Sequence, residues 1–226
     1  MNFTQPWGFS KLDVFRSCPR KFKYQFIDKL PQGSSPAMER GARIHDELEG
    51  YLRGWQPQPP AEVMTTGWGE EFEKLKAEKS LVCEQALGLT KNWSKLPDWF
   101  GKATWLRAKM DAQYIKSSVA VVIDFKTGKF RVPSEEQVLL YSVVGQAILP
   151  GINEAQAEFW YVDQKHDTKE SRHVKFYTNK ELMEARKYFE GEAEKMYNER
   201  RWGAKPSSNN CRWCPYSKSK GGPCEF

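Results

Sequence analysis

Residues 119–128 read Val-Ala-Val-Val-Ile-Asp-Phe-Lys-Thr-Gly. Val119, Val121, Val122 and Ile123 give this stretch the β-branched density of a buried strand, and the apolar run ends in Asp124 and Lys126. A buried charge is costly unless it is paired or bound to a cation. Residues two apart on a strand share a face, so Asp124 and Lys126 project together. Upstream, Trp105 to Tyr114 reads as a second strand, joined to the first around Lys116-Ser117-Ser118. A tight turn at Ser117-Ser118 sets Asp111 opposite Asp124 and Lys109 opposite Lys126, and opposed residues project to one face. Ser-Ser is not a favoured pair for such a turn. Two facing carboxylates repel unless a cation lies between them, and an oxygen-rich site of this kind suits Mg2+ or Mn2+. The plainer alternative is a surface hairpin with scattered charges. It accommodates Lys109 and Lys116, but it fits Asp124 poorly.

Outward from the hairpin, helical and strand patterns alternate. Ser10-Lys11-Leu12-Asp13 predicts a helix capped by Ser10 and broken at Pro19, which opens another carrying Phe22 and Phe26 at i, i+4. Glu39 to Trp55 predicts a helix with Ile44, Leu48, Leu52 and Trp55 as its apolar stripe, stopped by Gln56-Pro57-Gln58-Pro59-Pro60. Trp68 to Lys79 predicts a helix and Leu81 to Leu89 a strand. Ser134 caps a helix to about Leu149, with Glu135 and Glu136 in its first turn. Ala157 to Val162 and His173 to Tyr177 read as strands. Thr178-Asn179-Lys180-Glu181 is a capping box that opens a long helix with Leu182, Ala185, Phe189, Ala193 and Met196 on one face. From Gly203 onward the chain reads as loop. The expected fold is α/β (α+β), a short mixed central sheet flanked by helices. We expect one domain over 1–226, with a core of about 37–202.

The 226 residues are 39% hydrophobic and 14% aromatic, with nine Trp, which excludes general disorder. A net charge of +6 favours a polyanionic partner, nucleic acid first. The longest nearly uncharged apolar run, Val138 to Leu149, is too short to span a bilayer. Met1 to Trp7 lacks the charged start and apolar core of a secretory signal. We therefore expect a cytoplasmic chain with no membrane partner, in which the sequons at Asn2 and Asn92 carry no glycan. Five Cys in a reducing compartment argue against a disulfide framework. Gly-x-x-x-x-Gly-Lys-Ser/Thr, His-Glu-x-x-His and Gly-x-Ser-x-Gly are all absent, and no ATP motor resides in the chain.

The hairpin is one of several motifs in a recognisable order. Gly41-Ala42-Arg43-Ile44-His45 is followed by Asp111, by Asp124-Phe125-Lys126, and by Gln137-Val138-Leu139-Leu140-Tyr141. The series resembles the PD-(D/E)XK nuclease superfamily in its RecB-like exonuclease branch. The resemblance implies a restriction-endonuclease-like core and an Mg2+- or Mn2+-dependent deoxyribonuclease. It implies that His45, Asp111, Asp124 and the Phe125 carbonyl hold the metal. Lys126 would position the attacking water, Gln137 would orient the site, and Tyr141 would contact phosphate or hold Gln137. A lone His beside an apolar stripe is more often a core histidine; membership in the series is what makes His45 a ligand candidate. Glu84, on the strand before the hairpin, is a supporting residue near the metal. Arg20, Lys21, Lys23 and Arg43 are candidate contacts to the DNA backbone, with a solvated helix face as the plainer reading. One departure is visible: relatives often place a Gly just before the first Asp, where this chain has Arg107-Ala108-Lys109-Met110.

The cysteines are unevenly spread. Cys18 lies in Phe15-Arg16-Ser17-Cys18-Pro19-Arg20-Lys21-Phe22, and Cys211, Cys214 and Cys224 fall in the last sixteen residues. This set is similar to that of superfamily members whose iron–sulfur cluster joins the chain ends, such as CRISPR-associated adaptation nucleases and the AddB nuclease domain. It implies a 4Fe–4S cluster stapling about 10–30 to 203–226. Zn2+ is the alternative, since four thiolates suit either. Nine residues separate Cys214 from Cys224, more than in those relatives. Cys83 is left over as a buried thiol. The expected partner is DNA, at single- or double-stranded ends, with a recombination or adaptation protein beside it. The expected setting is phage or prokaryotic recombination, repair or CRISPR adaptation. The competing class is a non-catalytic nucleic-acid-binding module with a zinc knuckle, whose tryptophans stack bases. It leaves the His, Asp, Asp-x-Lys and Gln-x-x-x-Tyr series unexplained.

Overall fold

A computed structural model describes residues 3–130 and 134–226, so the sequon at Asn2 lies outside the described residues. The chain divides into two compact units, residues 35–186 and residues 1–34 with 187–226.

The larger unit is built on strands β1 (Val82–Leu89), β2 (Lys95–Leu96), β3 (Leu106–Lys116), β4 (Val119–Lys126), β5 (Glu154–Tyr161) and β6 (Arg172–Tyr177). They form one six-stranded sheet in the order β2-β1-β3-β4-β5-β6. Neighbours are antiparallel except β4 and β5, which run parallel. A parallel pair needs a crossover, and helix α6 (Glu135–Ile148) lies between those strands in the chain. The expected mixed sheet with flanking helices is therefore observed.

The β3–β4 hairpin has the expected turn and register. Ser117 and Ser118 take φ of 48° and 68°, the left-handed pair of a mirror-image turn whose twist suits a hairpin. Lys116 faces Val119, and the ladder runs down to Ala112 facing Ile123. The serines adopt this turn although Asn-Gly is the easier pair, because both strands are anchored by burial. Val121, Ile123 and Phe125 pack on Ile44, Leu48, Trp68 and Phe72, which come from α3 (Pro36–Leu52) and the segment entering α5 (Gly69–Lys76). Alternation then turns Ala120, Val122 and Asp124 to the opposite face, where α6 comes so close that a Cβ on Gly145 would lie 3.7 Å from both Ala120 and Val122.

Several element ends differ from expectation. Helix α3 starts after Ser35, whose side chain accepts from Met38 N (3.3 Å), and stops at Leu52. Gly54 at φ 79° reverses the chain, and Trp55, expected on the apolar stripe, is 72% exposed beneath the Arg53 guanidinium. The segment expected as one helix from Trp68 is preceded by a short helix, α4 (Ala61–Thr65), and ends at Lys76. Strand β2 carries no alternating pattern and was not anticipated.

The smaller unit contains α1 (Phe9–Ser17) and α2 (Pro19–Phe22), which continues as a π-helical turn over Lys23–Ile27. Ser10 lies inside α1 rather than capping it: the cap position is Gly8, with no side-chain bond. Phe22 is buried, stacked on Trp202 (5.6 Å) and 5.0 Å from the Phe26 ring. Helix α7 (Asn179–Asn198) crosses the boundary between the units, opened by the expected box: Thr178 N donates to Glu181 Oε2 (2.8 Å). The tail is not all loop. Ser207 accepts from Asn210 N (3.0 Å) and caps α8 (Ser208–Arg212), and a 3-10 turn spans Lys218–Lys220. A Cβ on Gly222 would fall 2.3 Å from the Tyr216 carbonyl carbon, so that position accepts only glycine. No helix among the described residues is long and apolar enough to cross a membrane.

Candidate active site

The open end of the hairpin ladder and the first turns of α6 meet around Asp124. Its carboxylate is 3% exposed. Oδ1 accepts from Gln137 Nε2 (2.7 Å), and Oδ2 lies 2.5 Å from Lys126 Nζ, although no hydrogen-bond geometry is satisfied at that oxygen. The ion-pair distance carries the attraction; the missing alignment leaves Oδ2 with unused acceptor capacity. Lys126 Nζ donates to Gln137 Oε1 (2.9 Å), and Gln137 Nε2 lies 3.4 Å from the Tyr141 hydroxyl. Gln137 and Tyr141 reach the same place because they are one helical turn apart. Burial pushes the Asp124 carboxyl up from its ordinary range, reinforced by the charge of Asp111 and opposed by Lys126. Burial likewise pushes the Tyr141 phenol up.

Asp111 sits where the β3–β4 ladder stops. In place of a further main-chain pair, its Oδ2 accepts the Phe125 N–H at 2.7 Å. Phe125 thus enters the site through its amide as well as its ring. His45 comes from α3, with Nδ1 3.4 Å from Asp111 Oδ1 and 3.8 Å from Glu84 Oε1. Burial alone would lower the imidazole's pKa, but the two carboxylates overcome it and push it up to about 10. Gly41, four residues before His45, has its own reason: a Cβ there would meet Thr127 Oγ1 at 3.0 Å.

Glu84 is the residue that sequence reasoning underrated. It lies in β1 between Cys83, which faces Ala112, and Gln85, which faces Met110, and is left out of the ladder opposite Asp111. Its φ is 49°, a conformation that costs a residue with a Cβ about 1–3 kcal/mol. The carboxylate is 7% exposed and ion-paired to Lys109, which was expected opposite Lys126. Burial alone would raise its pKa; His45 and Lys109 hold it below the usual carboxylate range. Ligand atoms of His45, Glu84 and Asp111 lie within 4.8 Å of one another, the one such group among the described residues. Pairing β1 against β3 is what sets Glu84 beside Asp111; its backbone conformation leaves no mark in the sequence.

The turn after Lys126 is fixed by Asp163, which the sequence reading did not single out. Arg40 grips its carboxylate with two bonds of 2.7 Å, Gly128 N donates to it, and Gly128 O accepts from Gln164 Nε2 (3.1 Å). The donor set fits a hard divalent cation: three carboxylates and one imidazole, with a buried Asp124 oxygen lacking a hydrogen-bond partner.

The other candidates are placed as follows. In the smaller unit Arg20 donates to Trp202 O (2.8 Å) and pairs with Glu225 (3.1 Å), and Lys23 pairs with Asp28 (2.6 Å). In the larger unit Arg43 pairs with Glu47 (2.8 Å) and Glu62. Lys21 lies close enough to Cys214 to favour its thiolate. Cys18, Cys211, Cys214 and Cys224 are all free, partly exposed and within the smaller unit. Lys205 N approaches Cys18 Sγ at 3.5 Å, Cys214 N donates to Cys211 O (3.2 Å), and Cys224 N donates to Tyr216 O (3.0 Å). Burial pushes the Cys214 thiol up, helped by the nearby Cys18 and Cys224. Cys83 is buried as expected, its thiol pushed up to about 11 by desolvation.

A family model for the PD-(D/E)XK nuclease superfamily matches residues 6–219. Among curated proteins, none matches the sequence. Two solved structures are similar: SSO0001, at 14% identity and TM-score 0.49 over all of this chain and 90% of that one, and a "putative exonuclease" from Eubacterium rectale, which shares the fold at 14% identity and TM-score 0.51 over 85% of this chain and 81% of that one.

Proposed function

The chain belongs to the PD-(D/E)XK nuclease superfamily, and from that premise we propose that it is an Mg2+- or Mn2+-dependent exonuclease of the RecB-like branch acting on DNA ends. The observation that carries the reading is the junction of Asp124, Lys126 and Gln137 beside the His45–Glu84–Asp111 group. His45, Glu84, Asp111 and Asp124 would hold the cation, with the Phe125 carbonyl as a further ligand. The ion would supply Lewis-acid polarisation of the scissile phosphate.

The chain's own residues do the rest. Lys126 Nζ, tethered by Asp124 and Gln137, would orient the attacking water and offset negative charge as it grows on the phosphate. Gln137 would keep that ammonium in register by bridging it to Asp124, and Tyr141 would hold Gln137 or touch phosphate. The Asp111 carboxylate, tied to the Phe125 amide, would keep the ladder end rigid. Because the family match runs through both compact units, we take them as parts of one nuclease domain.

We also propose that Cys18, Cys211, Cys214 and Cys224 carry a 4Fe–4S cluster. The likeness of the four-cysteine set to that of cluster-bearing superfamily members supports this reading; a tetrahedral Zn2+ is the alternative, since four thiolates suit either. DNA recombination, repair or CRISPR adaptation in a phage or prokaryotic cytoplasm, with a partner protein, is the setting this reading suggests.

The test is digestion of end-labelled single- and double-stranded DNA with Mg2+, Mn2+ or EDTA. Lys126→Ala should lower turnover by about 10²–10³-fold, the usual loss when an electrostatic stabiliser is removed, while DNA affinity stays within about twofold. Near-wild-type turnover in that variant would sink the assignment.

A further inference from the structure

Arg107, Lys109 and Asp111 occupy alternate positions of β3, while Leu106, Ala108, Met110 and Ala112 between and beside them are buried. The three therefore share one face. Asp111 belongs to the candidate metal group, Lys109 is exposed and pairs with Glu84, and Arg107 lies about 13 Å along the strand from Asp111. At that far position the Arg107 guanidinium sits 5.3 Å over the Trp99 ring and 5.0 Å over the Phe100 ring, and its Nε donates to Trp99 O (3.0 Å).

Phe100 is 77% exposed, yet its turn is well tied. Its N–H donates to Asp98 Oδ1 (2.8 Å), Gly101 N donates to Asp98 O (3.4 Å), and Thr104 N donates to Gly101 O (2.9 Å). A braced turn that keeps a phenyl ring in water forgoes its burial. It presents instead a flat apolar face backed by a guanidinium, the combination on which unpaired bases stack.

We infer that Phe100, backed by Arg107, is a stacking platform for one base of single-stranded DNA whose phosphates follow Arg107 and Lys109 toward Asp111. The direction of the strand rests on the nuclease reading; the stacking contact does not need cleavage. A base paired inside a duplex cannot lie on the ring, so the platform selects unpaired ends.

The experiment uses the full chain and a fluorescein-labelled dodecathymidylate in Ca2+ buffer, read by anisotropy. Phe100→Ala should weaken binding about tenfold, as for loss of one stacked base. Phe100→Trp should bind as wild type, and the salt slope should not change in Phe100→Ala because no phosphate contact is lost. An abasic nucleotide scanned along the strand should find one position that costs wild type about tenfold and Phe100→Ala nothing more. Hydrolysis of bis(p-nitrophenyl) phosphate, which has no base, should be the same in Phe100→Ala and wild type. Wild-type binding by Phe100→Ala, additive losses at every abasic position, or equal sensitivity with blunt duplex would each overturn the platform. Metal-dependent DNA cleavage alongside such a result would leave the nuclease reading standing. The predicted abasic pattern without any cleavage would keep the platform and remove the nuclease reading.

Discussion

Glu84 carries two signals at once, a left-handed backbone and a nearly buried carboxylate in the ligand group. Substitutions can separate them. Glu84→Ala keeps the backbone cost and loses the carboxylate; Glu84→Gly loses both. We expect both variants to bind Mn2+ at least about tenfold more weakly by calorimetry, the lower end of what outer-sphere partners already cost. Glu84→Gly should melt above Glu84→Ala, because glycine accepts that conformation freely. Unchanged Mn2+ affinity in both would remove Glu84 from the site. Much of the candidate site was legible at this scale. Asp124 and Lys126 announce themselves as charges ending an apolar strand, and Gln137 and Tyr141 by their one-turn spacing. His45 was legible only as a member of a series. Glu84 was legible only as a supporting residue, because its place depends on which strand pairs with which, and Asp163 was not legible, because it depends on where a loop returns.

Elements meet closely where Gly41 of α3 faces Thr127 at the end of β4. Gly41→Ala should cost about 1–3 kcal/mol, as overpacking does, and lower activity by shifting His45 against Lys126. Removing the Thr127 hydroxyl should restore both, so Gly41→Ala/Thr127→Ala should melt and cleave more nearly like wild type than Gly41→Ala alone. The neighbouring Asp163 gives a pH prediction. Its bond to Arg40 holds the carboxyl below its ordinary value of 3.8, against the effect of burial. A lowered folded-state pKa stabilises the fold above that ordinary value, and the contribution fades as pH falls through the lower one. Wild type should therefore out-melt Asp163→Asn at pH 6, with the gap closing toward pH 2; a constant gap would show that the charge is immaterial. Hairpin and helices were readable because period-2 and 3.6 patterns survive in the sequence. Helix ends were less so: Ser10 and Trp55 fit local rules, yet α1 starts one residue before Ser10, after an extended Gly8, and the left-handed Gly54 turns the chain away before Trp55.

At the scale of the whole molecule, the smaller unit draws its residues from both ends of the chain and contains all four candidate cluster ligands. A cluster bridging Cys18 to Cys211 closes a very long loop, so its loss should be felt globally. Cys211→Ser should bleach absorption near 400 nm in anaerobically purified protein, the region expected of thiolate-to-iron charge transfer. A loss of about 2–3 kcal/mol would lower the melting temperature by about 4–12 °C in a chain of this size. Colourless protein with stoichiometric zinc would replace iron by zinc and keep the staple; ordered, metal-free tails would refute both.

The same two-ended unit has a consequence during translation. Phe3, Trp7, Leu12 and Phe22 are made well before the residues that complete their unit, 187–226. At about 5–20 residues per second, the roughly 150 intervening residues take about 8–30 s to synthesise. Throughout that interval the apolar side chains of Phe3, Trp7, Leu12 and Phe22 lack the later segment that buries them. The end-joining unit can complete its packing only once residues 187–226 have been made, so its early segment waits while the sheet unit is synthesised.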